Sequence, residues 1–258
     1  MFFKTIDFSK YSSIKVGQPT EVLMIEKDDV LPNDRYLIGG ANNLLISPTP
    51  PPLMMLSKDF AFIEEDNGYL TIGAAMPTGR IVSYAKKHNI AGFEFCSKLP
   101  GTLGGMLAMN AGVKAYEIFN ILHSIKIDGK WVLAADIAHG YRFAHLNGVA
   151  TEAKFKIAKG FDTALLEALL NLRSNQPHDP SAGSAFKNPK GDYAGRLIEV
   201  VGLKGFRKGE MQWSDIHANF LVNLGNGTFE DAKYLIELVK EKVLEDCGVT
   251  LIEEIKIL

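Results

Sequence analysis

Apolar and polar residues alternate in short bursts along most of the chain, and only a few stretches carry apolar residues at helical spacing. Residues 21–26 (EVLMIE), 36–38, 53–56, 60–63 and 69–73 predict short strands. Residues 124–133 (SIKIDGKWVL) predict a hairpin, because Asp128-Gly129 is a dipeptide that a type I′ turn favours. A further alternating strand is predicted at 151–157. Helical spacing begins at Thr78, a predicted cap for a helix carrying Ile81, Val82, Ala85 and His88, with Asn89 as its stop. From Asp162 the period changes again, and Leu165, Leu166, Leu169, Leu170 and Leu172 predict a broad apolar helical stripe. Asp192 is a predicted cap for a short helix with Leu197 and Ile198 inward, ending near Gly202. The strongest pattern follows Thr228, where Ala232, Leu235, Ile236, Val239 and Val243 share one stripe and Gly248 stands just past its end. Residues 249–257 predict a closing strand, with Val249, Leu251, Ile255 and Ile257 on one face and Glu254 on the other. Short strands and helices mix without a regular βαβ alternation, which predicts the α+β class.

Composition narrows the functions open to this fold. The 258 residues carry 28 Lys+Arg against 30 Asp+Glu, a net charge of −2, so nothing in the balance points to nucleic acid or an anionic membrane. No apolar run approaches the ~20 residues that a membrane span needs, and the N-terminus lacks the apolar core of a secretory signal. Cys96 and Cys247 are too few and too far apart for a disulfide framework or a metal cluster, and no metal-ligand spacing occurs among the histidines. The expectation is a soluble, cytoplasmic protein without a metal. Pro48-Thr49-Pro50-Pro51-Pro52 excludes helix and central strand, and marks a first domain boundary.

Five segments hold candidate chemistry. Gly39-Gly40-Ala41-Asn42-Asn43-Leu44 joins two strands; such a loop brings backbone amides to a phosphate, and equally makes a tight turn. Residues 98–112 place Pro100, Gly101, Thr102, Gly104 and Gly105 ahead of Asn110, Ala111 and Gly112. Their few side chains leave room for a pyrophosphate or a flat ring, or for close helix packing. Neither the G-x-G-x-x-G nor the G-x-x-x-x-G-K-[ST] spacing is present. Ser184 stands between Gly183 and Ala185, followed by Lys187 and Asn188, without the His–Asp pair that would make it a nucleophile. His217 and Asn219 are predicted on one strand face, opposite Phe220 and Val222, as in any half-buried strand. Glu254 completes the set.

In this order the motifs resemble the bacterial UDP-N-acetylenolpyruvoylglucosamine reductases of peptidoglycan synthesis. The resemblance runs through residues 39–45, 100–112, 183–189 (GSAFKNP), 194–199 (AGRLIE), 217–223 (HANFLVN) and 248–258, nearly the whole chain. It implies an FAD-binding fold of the vanillyl-alcohol-oxidase/p-cresol-methylhydroxylase type in residues 1–52 and 53–158, with a substrate domain in 159–258. It further implies bound FAD, NADPH as co-substrate, a nucleotide-sugar substrate and a monomer. Carried over by position, Ser184 is the proton donor and Glu254 the C-terminal catalytic carboxylate. The family's Tyr-Arg motif is kept at Tyr141-Arg142, making Arg142 the third catalytic residue, although Ala144 replaces the serine usual there. Gly39–Leu44, Pro100–Gly105 and Asn110–Gly112 are then cofactor segments. Lys187, Asn188, Arg196, His217 and Asn219 are substrate-binding positions. The length matches the compact class of the family. The competing expectation is a flavin-dependent oxidase of the same fold acting on another alcohol or sugar.

Overall fold

The structure is a computed structural model that describes residues 1–171 and 176–258. Leu172, the last residue of the predicted stripe, lies outside them. The chain divides into two compact units that are interleaved in sequence. Unit 1 holds Met1–Lys4, Val22–Gly40 and Pro52–Ser174; unit 2 holds Thr5–Glu21, Ala41–Pro51 and Asn175–Leu258.

Unit 1 is built on a five-stranded antiparallel sheet. In spatial order it runs Lys130–Leu133, Leu122–Ile127, Ala150–Lys156, Tyr69–Gly73 and Ile63–Asp66. The predicted hairpin closes with Ile127 opposite Lys130, and its turn residues Asp128 and Gly129 have φ of 46° and 78°. Two positive φ values are what a type I′ turn demands. Ile72, Ile125, Ala153 and Phe155 bury their side chains with Phe93, Leu103 and Leu107 in one core. A second sheet includes a parallel set in which Leu53–Leu56 lies between Pro19–Ile25 and Tyr36–Leu37. Cys96 is fully buried in the larger core, and desolvation pushes its thiol pKa far up, so it is an inert packing group.

Unit 2 carries a four-stranded antiparallel sheet ordered Ser181–Ser184, Phe220–Asn223, Met211–Trp213 and Arg207–Lys208. The helix Phe229–Cys247 lays Ala232, Leu235, Ile236, Val239 and Val243 into the core with Trp213, Phe186 and Leu197. Among the described residues no helix is long and apolar enough to cross a membrane.

Several elements differ from their sequence-based expectations. Residues 60–63 are not a strand: Lys58–Phe60 is a 3-10 turn capped by the Ser57 hydroxyl, and the strand starts at Ile63. Thr78 is the first residue of its helix rather than the cap, its hydroxyl donating to the Leu99 carbonyl at 2.6 Å. Asn89 is the stop, at φ 55°. Asp192 does not cap the helix Ala194–Val200; Asn188 Oδ1 accepts from the Ala194 amide at 3.1 Å instead. His217 and Asn219 lie in the turn before the strand Phe220–Asn223, so they share no strand face. The closing strand is confined to Lys256–Ile257, with an isolated bridge at Glu253.

Thr228 caps the long helix, accepting from the Asp231 amide at 3.1 Å. Thr228→Ala should destabilise the protein by about 1 kcal/mol and Thr228→Ser by much less. Urea unfolding followed by far-UV circular dichroism measures both, and equal losses would exclude the cap as the cause.

Candidate functional site

In unit 1 the two glycine-rich segments meet. A Cβ added at Gly39 would fall 2.7 Å from Thr102 Oγ1 and 3.8 Å from the Gly105 amide nitrogen. Thr102 caps the helix Leu103–Met109, its hydroxyl accepting from Gly105 at 3.4 Å. The loop before it is strapped to Thr78, whose amide donates to the Gly101 carbonyl at 3.0 Å, and Gly101 itself has φ 120°. Only glycine adopts that backbone without strain. Gly104 faces inward: its Cβ position is 3.2 Å from the Ala74 carbonyl oxygen, so it serves helix packing. Gly105 is exposed, and Gly39, Gly40, Pro100, Gly101 and Thr102 are partly open or exposed. These residues fit the phosphates of a flavin nucleotide: their backbone is partly open or exposed, and they bring no carboxylate toward an anion.

Asn110, Ala111 and Gly112 are engaged within unit 1. Asn110 is fully buried, the Ala111 amide donates to Met106, and a Cβ on Gly112 would lie 2.1 Å from the Tyr116 carbonyl oxygen. Arg142 occupies the turn between the paired segments His139–Gly140 and Phe143–Ala144. Its Nη2 donates to the Gly112 carbonyl at 3.0 Å, and its guanidinium stands 5.1 Å from the Tyr141 ring centre.

Unit 2 gathers most of the remaining candidates. The strand Ser181–Ser184 pairs with Phe220–Asn223 through a register shift, with Gly183 at φ 80° and Ser184 opposite Phe220. Beyond it the Glu254 amide donates to the Ala185 carbonyl at 2.8 Å, and the Lys187 amide to Ile252 at 2.8 Å. Ser184, Lys187 and Glu254 therefore belong to two segments held side by side by backbone bonds. Asn43 adds to this, its Nδ2 donating to the Glu254 carbonyl at 2.8 Å, while Asn42 donates to Ser13 Oγ at 2.6 Å. Ala41 is buried at φ 51°, and Leu44 is buried where it pairs with Lys256. Among the described residues the Ser184 hydroxyl makes no hydrogen bond.

Asn219 is buried, and both ends of its amide hold the backbone of Phe186: Oδ1 accepts at 3.0 Å and Nδ2 donates at 2.8 Å. Its own carbonyl accepts from Ala185 at 2.8 Å. It thus fixes the residues that follow Ser184, a role its sequence position did not disclose. Asn188 is spent on the helix Ala194–Val200, as described above. Arg196 pairs on the surface with Asp192, its Nε donating at 2.6 Å, and that hydrogen bond lowers the Asp192 pKa to about 2. His217 is half-buried, edge-on to Phe220 at 5.0 Å, and its Cε1 is 3.4 Å from a Cβ position on Gly195. Asn223 went unassigned from sequence, yet its amide bonds the Ile14 and Lys15 carbonyls and the Gly225 and Gly227 amides. Among the described residues no group of three His, Cys, Asp or Glu side chains could hold a metal ion.

A family model described as UDP-N-acetylenolpyruvoylglucosamine reductase, C-terminal domain, matches residues 176–258. The chain is 48% identical over 257 residues to the UDP-N-acetylenolpyruvoylglucosamine reductase of Helicobacter hepaticus, with 98% of each protein covered. It is 49% identical over 258 residues to the protein of the same name from Campylobacter jejuni, covering 98% of this chain and 99% of that one. The crystal structure of UDP-N-acetylenolpyruvylglucosamine reductase from Thermus caldophilus superposes with a TM-score of 0.86 at 28% identity, over 100% of this chain and 99% of that chain.

Burial holds the His217 imidazole below its ordinary pKa. The unfolded chain then binds this proton at a higher pH than the folded one, so the contribution is complete above about pH 6.5 and lost as the pH falls below it. His217→Gln should reduce the drop in urea midpoint between about pH 8 and about pH 5. An equal drop in both proteins would rule out His217 as its source.

Proposed function

The chain belongs to the UDP-N-acetylenolpyruvoylglucosamine reductase family, and from that membership we propose that it reduces the enolpyruvyl ether of UDP-N-acetylglucosamine-enolpyruvate to UDP-N-acetylmuramate, using bound FAD and NADPH. The observation that carries this reading is identity near one half over 98% of the chain, beside a family model over residues 176–258 that contains Ser184 and Glu254. The same full-length match disfavours a flavin oxidase that shares only the cofactor-binding part of the fold. The chain is an α+β protein with an FAD-binding fold of the vanillyl-alcohol-oxidase/p-cresol-methylhydroxylase type. We divide it by ligand into cofactor segments 1–52 and 53–158 and a substrate segment 159–258. We place it as a cytoplasmic monomer in peptidoglycan precursor synthesis, without nucleic-acid or membrane partners.

Bound FAD would supply the hydride chemistry that links NADPH to the β-carbon of the enolpyruvyl group. Gly39, Gly40, Gly101, Thr102 and Gly105 would hold it, with backbone close to its phosphates and ring. Arg142 binds the substrate carboxylate and stabilises the charge that builds there as the α-carbon becomes electron-rich. Ser184 gives its hydroxyl proton to that α-carbon and recovers one from solvent. An alcohol is a weak acid, but a carbanion within hydrogen-bond reach is a strong enough base to take its proton. Glu254, whose backbone is tied to Ala185, steadies the proton inventory around Ser184. Lys187 is the cation nearest in sequence and binds the anionic nucleotide-sugar.

The test is anaerobic and uses purified holoenzyme, reduced with NADPH and then mixed with UDP-N-acetylglucosamine-enolpyruvate. Rapid reoxidation of the flavin by this substrate is the expected result; a flavin that stays reduced with it and reoxidises only once air is admitted would point to an oxidase. Ser184→Ala should fold, stay yellow and be reduced by NADPH, while substrate reduction falls by on the order of a hundredfold or more. Arg142→Ala and Glu254→Gln should likewise slow the second half-reaction far more than the first. Equal slowing of both halves would indicate general damage to the flavin site and sink these assignments.

A further inference from the structure

Asn110 falls in a segment assigned above to the cofactor, yet its side chain has no exposed surface. Its amide is already engaged at both ends. Nδ2 donates to Glu117 Oε2 at 2.8 Å and to the Gly140 carbonyl at 3.0 Å, and Oδ1 accepts from the Phe119 amide at 3.2 Å. An amide nitrogen has two hydrogens to give, and both are used here. A side chain so placed is not available to a ligand.

What it holds is the base of the hairpin that carries Arg142. Gly140 pairs with Phe143, leaving Tyr141 and Arg142 as the turn. Arg142 has φ 59°, in the left-handed region that arginine seldom adopts. A turn that needs positive φ at this position favours glycine or asparagine. An arginine stays there only if its surroundings over-determine it. Two contacts from one short segment do so: Asn110 grips the Gly140 carbonyl at the base, and the Gly112 carbonyl receives the guanidinium itself at 3.0 Å. Gly140 in turn lets the Phe143 ring lie across the base of the hairpin, since a Cβ there would strike that ring at 2.7 Å. A charged donor that must meet developing charge acts best when it is in place beforehand.

We infer that Asn110 is a positioning residue for Arg142, acting on substrate reduction through the hairpin rather than through contact with the cofactor. The inference rests on the role proposed for Arg142. Asn110 itself has φ 43° and ends the helix Leu103–Met109, so Asn110→Gly keeps that backbone conformation and deletes only the amide. In this variant the holoenzyme should keep its FAD and its NADPH half-reaction, while substrate reduction falls by about tenfold or more. Hydrogen exchange of the peptide spanning 139–144 should quicken with the rest of unit 1 unchanged. In an Arg142→Ala background, Asn110→Gly should cost nothing further. If Asn110→Gly fails to fold, Asn110→Asp makes the same test. It keeps the Phe119 contact but sets a carboxylate against Glu117 and Gly140, and Glu117→Gln should recover part of the lost rate. Unchanged substrate reduction in the variant beside an impaired Arg142→Ala would overturn the positioning role alone. An unimpaired Arg142→Ala would overturn the proposed role of Arg142 and this one with it. Loss of FAD, or equal slowing of both half-reactions, would return Asn110 to the cofactor site.

Discussion

Backbone taken out of water has to find hydrogen-bond partners, and irregular backbone cannot find them in a helix or a ladder. This chain meets that constraint with buried asparagine amides. Asn219 pairs with both backbone groups of Phe186, as a neighbouring strand would, where the ladder beside Ser184 is interrupted. Asn223 satisfies four backbone groups drawn from two stretches of unit 2. Asn110 serves Gly140 and Phe119 in unit 1. Glu94 does comparable work there, its carboxylate accepting from the Gly92 and Asp162 amides at 2.7 and 2.8 Å. The segments that follow Ser184 and that carry Arg142 are ordered by such groups. A glycine has no side chain with which to order itself.

The periodic parts of the fold were legible in the sequence because their determinants are local. Asp128-Gly129 sets its own turn, and the stripe from Ala232 to Val243 needs only a helix to become one face. The misreadings arise where a distant group took over a local signal. Asp192 has the chemistry of a cap, but Arg196 engages its carboxylate, and Asn188 supplies the acceptor that the helix needs. Thr78 has a capping hydroxyl, but the Leu99 carbonyl claims it. Residues 249–257 alternate like a strand, yet the pairing that would make one exists only at Lys256 and Ile257.

The candidate site was legible as motifs, not as roles. Residue type brought Ser184 and Glu254 among the candidates, but their roles, and Arg142 altogether, came through the resemblance to a family. Within the motifs, sequence does not separate a residue that faces a ligand from one that holds the loop. Gly105 and Gly104 are adjacent, yet one is exposed and the other packs against Ala74. Asn219 and Asn110 look like ligand-binding amides until their partners, 33 and 30 residues away, are known.

The interleaving of the two units bears on the order in which the chain acquires structure during synthesis. Leu44 and Leu45 leave the ribosome early, but the strand they pair with, Lys256–Ile257, is made only after the whole of unit 1. Residues 5–21 and 41–51 must therefore wait through translation of nearly all of unit 1, whose own partners are already in reach. Unit 1 is suited to form while these segments wait, whereas unit 2 is completed only once Lys256 and Ile257 have emerged. Removal of Lys256 and Ile257 would leave Leu44 and Leu45 without the strand they had waited for.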